Sequence, residues 1–445
     1  MSQILKPKKG YKSIPWLFRK EIEIPEEWEI KTIDDVCDFL ISGTNSRSDL
    51  NENGEINYIH YGDIHTKWNL VLDCDLEEIP RIDKEKVSRL QLLKEGDLII
   101  ADASEDVEGS GTSILLKNVK NKKIVAGLHT IVLRNKDEDV SSDFLKYLTS
   151  INSVKIQIIS YVTGAKVFGL TKNNCKSIKV PFPKLKEQQK IASILSNIEE
   201  LITQTQKTID DVKQLKAGLM QWLPITGIGH AKFKEPQLNP RFVKYRIPQE
   251  WDVSDLKSVS TKIADIDHKM PKKTTVGIKF IAANNLNNNE IDFENTEFIS
   301  KDDYLYHSKK FNAEKNDILI SRIGSIGVAR IICTDEPFIA SYSVALIKPK
   351  KDVDSKFLEY YLNSILPQTV MKAYTIVSGN VNLVLGELGK VPVLLPPFQE
   401  QQKIASILSN VDNIIKSHDL YQEKLQNLRK SLIQKLLTGE VRVKI

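Results

Sequence analysis

The sequence predicts an α+β chain built twice over: two mixed α/β modules separated by two long antiparallel coiled-coil helices, with a pseudo-two-fold internal repeat. Three observations predict it. Residues 187–197 read EQQKIASILSN, and residues 400–410 read the same eleven letters, 213 residues further on (400 − 187). From each copy onward apolar residues recur in alternating steps of four and three, the seam of a coiled-coil helix. Ahead of each copy lie weaker echoes in one order: IPEEW at 24–28 and IPQEW at 247–251, GDLII at 96–100 and NDILI at 316–320, FLKY at 144–147 and FLEY at 357–360.

These signals divide the chain into a first module (1–182), a first spacer helix (183–226), a linker (227–240), a second module (241–396) and a second spacer helix (397–440). Within the modules, β-rich runs at 97–101, 124–133, 317–322 and 339–347 alternate with helical patterns at 142–150 and 354–364. A proline-punctuated strand precedes each spacer helix, at 180–183 and 393–398, because the fixed φ of proline ends an extended segment and the helix starts beyond it.

The first seam is Ile191, Leu195, Ile198, Ile202, Ile209, Val212, Leu219 and Leu223; the second is Ile404, Leu408, Val411, Ile415, Leu425, Leu432 and Leu436. Polar Thr205, His418 and Gln422 interrupt the rows, and His418 reads as a register-setting residue rather than a catalyst. A helix over 187–223 extends about 55 Å. Its stripe is too narrow to stand alone, and the other copy is the natural cover. Paired antiparallel, the helices place the modules at opposite ends. A second apolar row, Ile194, Leu201 and Leu215 with Ile407, Ile414, Tyr421 and Leu428, either broadens this contact or takes a helix from a partner protein. The first helix closes on QWLPITGIG where the second has QKLLTGEV, so the repeat does not fix its end. The stretch from 227 to 240 carries Gly, Pro and Lys without periodicity and reads as a linker.

A chain of 445 residues has room for about three domains. Its 41% apolar and 27% charged residues exclude the disordered, collagen-like and disulfide-scaffold classes. No apolar run reaches the roughly 18 residues that cross a bilayer, and residues 1–10 lack the apolar core of a signal peptide, so a cytoplasmic protein without membrane contact is expected. Cys37, Cys74, Cys175 and Cys333 lie too far apart for a zinc ribbon, and no metal site is predicted. A net charge of +5 permits contact with phosphates without requiring it.

Between the echoes the modules diverge: YIHYGDIHTKW at 58–68 has no counterpart near 280–289. A held scaffold with varying contents fits two readers of different targets better than a duplicated enzyme, whose reactive residues would recur. No phosphate-binding Gly-rich loop, dinucleotide fingerprint, His-Glu-x-x-His or nucleophile elbow occurs, and no catalytic residue is predicted. The pairs Asp34-Asp35 and Asp302-Asp303 read as solvated surface. Strand ends run instead into loops rich in Gly, Ser, Asn and basic residues, which approach phosphates and offer donors to base edges. In SRIGSIG at 321–327, Arg322 has the fork that bonds guanine O6 and N7, with Ser325 beside it. The corresponding first-module loop, DASEDVEGSG at 102–111, is acidic and is given no base contact, although a carboxylate can accept from cytosine N4. The DNA-binding candidates of the first module are Ser42, Thr44, Asn45, Arg47, His60, Tyr61, His65, Lys67 and Lys166. Those of the second are Lys269, Lys272, Lys273, Asn284, Asn285, Arg322, Ser325, Tyr342, Ser378 and Asn380.

Module, EQQKIASILS helix, module, EQQKIASILS helix ending in LLTG resembles the specificity subunit of type I restriction-modification enzymes over essentially the whole chain. The resemblance implies two target-recognition domains, each reading one half of a split, asymmetric sequence in double-stranded DNA, with the helices fixing the gap. It also implies docking to two modification subunits, which bring S-adenosylmethionine, and to restriction subunits, which bring ATP and Mg; no cofactor and no catalysis are expected in this chain. A coiled-coil adaptor that binds proteins without DNA, and a free-standing nucleic-acid enzyme, are the alternatives. Steep loss of affinity with salt separates the first from the adaptor.

Overall fold

The computed structural model describes residues 8–16, 21–164, 166–236, 246–266, 270–286, 289–378 and 380–445, the side chains of 376–378 and 380–381 excepted. The chain forms two compact units, 1–205 with 421–445 and 206–420. Two helices run long: α1 over Leu185–Thr226 and α2 over Phe398–Leu437. Each unit thus contains one module, the half of one helix that follows it, and the far half of the other helix.

In the first unit a five-stranded sheet runs in the order Cys37–Leu40, Thr130–Asn135, Leu98–Ala101, Ser113–Lys117, Leu70–Asp73. A second sheet runs Ile124–Ala126, Ile56–Ile59, Arg81–Ile82. The second unit repeats the plan with Ser260–Ala264, Val344–Pro349, Ile318–Ser321, Ala329–Ile331, beside Lys273–Thr274, Glu297–Ile299, Ile278–Ile281, Phe338–Ala340. The β-rich runs at 124–133 and 339–347 are therefore each two strands that pass from one sheet to the other. At the first crossing only glycine fits, since a Cβ on Gly127 would lie 2.2 Å from the Tyr58 ring. The helical pattern at 142–150 is a short helix, Ser142–Leu145, and a 3-10 turn, Leu148–Ser150. Its counterpart is the helix Ser355–Leu362, started by Asp354, whose carboxylate accepts from the Phe357 N–H.

The apolar seam is buried within each unit. In the first, Ile191 and Leu195 share a core with Ile433, Leu436 and Leu437, so the start of α1 packs against the end of α2. In the second, Ile404 and Leu408 meet Leu219, Leu223 and Ile225, the start of α2 against the end of α1. Antiparallel pairing follows in both. Ile209, Val411, Ile415 and Leu425 are also buried, and Ile198, Ile202, Val212 and Leu432 are half-buried. Thr205, buried in the seam, gives its hydroxyl to the Leu201 carbonyl. Pro224 lies in the last turn of α1, which carries on to Thr226. Within the stretch expected as a linker, Gly227 turns at φ +68° and Phe233–Lys234 is a strand paired with Ile247–Pro248, while residues 237–240 lie outside the described residues.

Candidate nucleic-acid interface

One set of contacts is made twice. The Trp28 indole donates to Glu187 Oε2 at 3.0 Å, and the Trp251 indole donates to Glu400 Oε2 at 3.0 Å, joining each IP-x-E-W motif to the first letter of each EQQ. The same carboxylates hold the chain beyond the other helix. Arg442 donates to Glu187 Oε1 at 2.7 Å, while His230 Nε2 lies 2.7 Å from Glu400 Oε1 and the Ile228 N–H donates to the same oxygen. Hydrogen bonding to Glu187 holds the Arg442 guanidinium above its ordinary pKa. Gln188 accepts from the Ser141 N–H and donates to the Asp139 and Pro183 carbonyls; Gln401 treats Asp354, Asp352 and Pro396 alike. About three turns further on, Tyr147 and Arg429 bond Glu199, as Tyr360 and Lys216 bond Asp412. The repeated letters are the joints between module and helix.

The loop edges are not duplicated. In the first module, the Ser42 hydroxyl donates to the Thr130 carbonyl at 2.7 Å and the Gly43 N–H to Ala126 at 2.8 Å. Arg47 and Lys67 both stand 3.1 Å from Oδ1 of Asp63, a buried carboxylate. His60 Nδ1 accepts from the Gly62 N–H and so starts the helix Tyr61–Thr66. Burial, reinforced by Arg47, pushes the His60 imidazole below its ordinary pKa. His65 Nε2 lies 2.9 Å from the Ala103 carbonyl. The Tyr61 ring sits 4.7 Å from His60 and edge-on to His65 and His129, at 6.3 and 5.2 Å. Phe168–Gly169 pairs with Ala103–Ser104, which brings the loop bearing exposed Lys166 to the same place. Ser42, Thr44, Asn45, Arg47, His60, Tyr61, His65, Lys67 and Lys166 therefore share one edge of the module.

The second module gathers the loops at 282–286, 322–327, 341–343 and 382–383, tied by Ser341 N–H to Ile281, Arg322 N–H to Ser343 and Leu383 N–H to Arg322. Arg322 departs from the expectation. Its guanidinium is only 5% exposed, paired with Asp265 and donating to Asn382 Oδ1 at 3.1 Å, so it holds the loops together instead of offering a free fork to guanine. Asn285 is likewise buried and spans the Ala282 N–H and the Asn295 carbonyl. Asn284, Ser325, Lys272 and Lys273 are exposed, Lys273 within 2.6 Å of Glu297, and Tyr342 is half-buried against the second-sheet core. Lys269 and the side chains of Ser378 and Asn380 lie outside the described residues. Asp63, Asp102, His129 and Asp265 belong to these edges without having been singled out. Asp265 and Arg322 are 57 residues apart, and no local pattern links them. Among the described residues no group of three or more His, Cys, Asp or Glu could hold a metal, and no helix is long and apolar enough to cross a membrane.

The profile of the type I restriction modification DNA specificity domain matches residues 25–214 and again 248–427. The chain belongs to this family. It is 26% identical over 441 residues to a putative type I restriction enzyme MjaX specificity subunit from Methanocaldococcus jannaschii, covering 95% of both chains. To the EcoKI specificity subunit of Escherichia coli it is 20% identical over 383 residues, 82% of this chain and 79% of that one. The fold is shared with the crystal structure of the HsdS subunit from Thermoanaerobacter tengcongensis, with a TM-score of 0.52 and 17% identity over 94% of this chain and 98% of that one. DNA sequence specificity within a type I restriction-modification system is the role of this specificity chain.

Proposed function

We propose that each module reads one half of a split, asymmetric sequence in double-stranded DNA, the first through the edge around Tyr61 and the second through the loops gathered about Arg322. The observation that carries this reading is the contrast between joints made twice and edges made once: similar scaffolds hold unlike surfaces. In this reading α1 and α2 fix the gap between the half-sites, the chain is itself noncatalytic, and it works in the cytoplasm. Its exposed row, Leu201, Leu215, Ile407, Ile414, Tyr421 and Leu428, receives helices of two modification subunits. Those subunits supply S-adenosylmethionine chemistry, and restriction subunits add ATP and Mg. Six side chains of this size left 36–54% exposed along paired helices support a further helical cover.

Exchanging residues 1–182 for those of a relative and sequencing methylated adenines in cells carrying the complex tests the reading. One half of the methylated motif is expected to change and the other to stay. A motif altered in both halves, or in neither, would overturn it. Leu215→Asp with Ile414→Asp should leave folding intact and weaken capture of the modification subunits at least tenfold.

A further inference from the structure

Asp102 is the anomaly of the first module's edge. It follows the strand Leu98–Ala101 as Arg322 follows Ile318–Ser321, but where Arg322 is neutralised by Asp265, the carboxylate of Asp102 meets no permanent cation among the described residues. Its partner is the imidazole of His129, Nδ1 to Oδ1 at 3.2 Å. The pair is held rigidly. The Asp102 N–H donates to the His129 carbonyl, its own carbonyl accepts from the Leu170 N–H at 2.7 Å, and the His129 ring stands edge-on to Tyr61. His129 is kept at φ +57°, a left-handed conformation uncommon for residues other than glycine, which fixes the direction of its ring. Burial pushes the Asp102 carboxyl above its ordinary pKa, against the pull of His129. Yet the Asp102 side chain is still 28% exposed and that of His129 47%, so the pair remains open to solvent at this edge.

A carboxylate on a surface that meets DNA is repelled by phosphates and serves only where a donor comes to it. In the major groove those donors are the exocyclic amines, N4 of cytosine and N6 of adenine. We propose that Asp102, oriented by His129, is a specificity-determining residue that accepts a hydrogen bond from the amino group of one cytosine or adenine in the half-site read by the first module. This rests on the proposed reading of that module as a DNA reader.

The test uses the full chain with its modification subunits. Asp102→Asn and Asp102→Ala are compared with the unaltered chain by methylated-adenine sequencing, and the motif that emerges supplies duplexes in which the affected base lacks its amine (purine for adenine, pyrimidin-2-one for cytosine). Asp102→Ala should lose discrimination at one position of one half-site, while Asp102→Asn, which keeps an acceptor oxygen, should retain part of it. Removing the amine should weaken binding of the unaltered chain about tenfold and that of Asp102→Ala less than twofold. An unchanged motif in both variants overturns the proposal. So does a uniform loss of methylation with a lowered thermal transition in Asp102→Asn, which marks a purely structural carboxylate. Failure of the underlying reading shows separately, as an exchange of residues 1–182 that alters neither half.

Discussion

Removing one carboxylate should unfasten the first module from its helix. Glu187→Ala deletes the acceptor of the Trp28 indole, whose side chain is 1% exposed, and both oxygens held by Arg442. An orphaned buried N–H costs about 1–3 kcal/mol. The Arg442 bond adds at most about 1 kcal/mol, because that side chain is a third exposed and solvent screens it. Relief of the desolvation of Glu187 itself offsets part of the loss. The sum is about 2 kcal/mol, which for a unit of this size lowers the melting temperature by roughly 4–8 °C. Glu187→Gln keeps an oxygen for the indole and forfeits only the charge, so it should cost about 1 kcal/mol. Differential scanning calorimetry of the three proteins decides the matter. If Glu187→Ala moved the transition by less than about 2 °C, or Glu187→Gln cost as much as Glu187→Ala, the indole bond would not be the joint argued for above.

Arg322→Met leaves buried Asp265 with the more distant Lys310, at 3.7 Å, and should destabilise the second unit by about 2 kcal/mol, most of which Arg322→Met with Asp265→Asn should regain; a changed half-site with an unmoved melting temperature would restore Arg322 as a base reader. Val411→Asp places a carboxylate in the buried seam and should cost about 3 kcal/mol, whereas Ile414→Asp, on the exposed row, should stay within about 0.5 kcal/mol by thermal melting. His60 binds its proton more weakly folded than unfolded, so stability present above the unfolded value of about 6.5 is lost as pH falls through it. His60→Asn keeps a side-chain oxygen to start the helix and should flatten that slope, which is at most about 1.4 kcal/mol per pH unit; urea titrations of both proteins at pH 7.5 and 5.5 measure the difference.

The helices were legible because their seam is periodic and occurs twice, and burial of Ile191, Leu195, Ile404 and Leu408 follows from spacing alone. The four β-rich runs read from the sequence lie within a residue or two of strands, although other strands were not read, and the break inside 124–133 was not foreseen. It depends on the clearance between Gly127 and Tyr58, residues far apart in sequence. The loops chosen for their composition did converge in the first module. What composition could not supply was which way a charge points: Arg322 has the chemistry of a base reader, and the deciding fact is a carboxylate that folding brings to it. In the stretch expected as a linker, aperiodic sequence still docks at one point, His230 on Glu400.

Set side by side, the two modules show why this division of labour is stable. At the helix joint the partner of the glutamate changes from Arg442 to His230, yet the acceptor and the indole stay, and both partners face the same carboxylate. At the end of the central strand the charge itself reverses, Asp102 in one module and Arg322 in the other, and each is accommodated by a neighbour on a different loop, His129 or Asp265. A reversal of that kind at Glu187 would strand a buried indole; at 102 it costs only the exchange of one loop partner. Freedom to vary is therefore set by where the scaffold's buried hydrogen bonds end, and the loop edges begin where they stop.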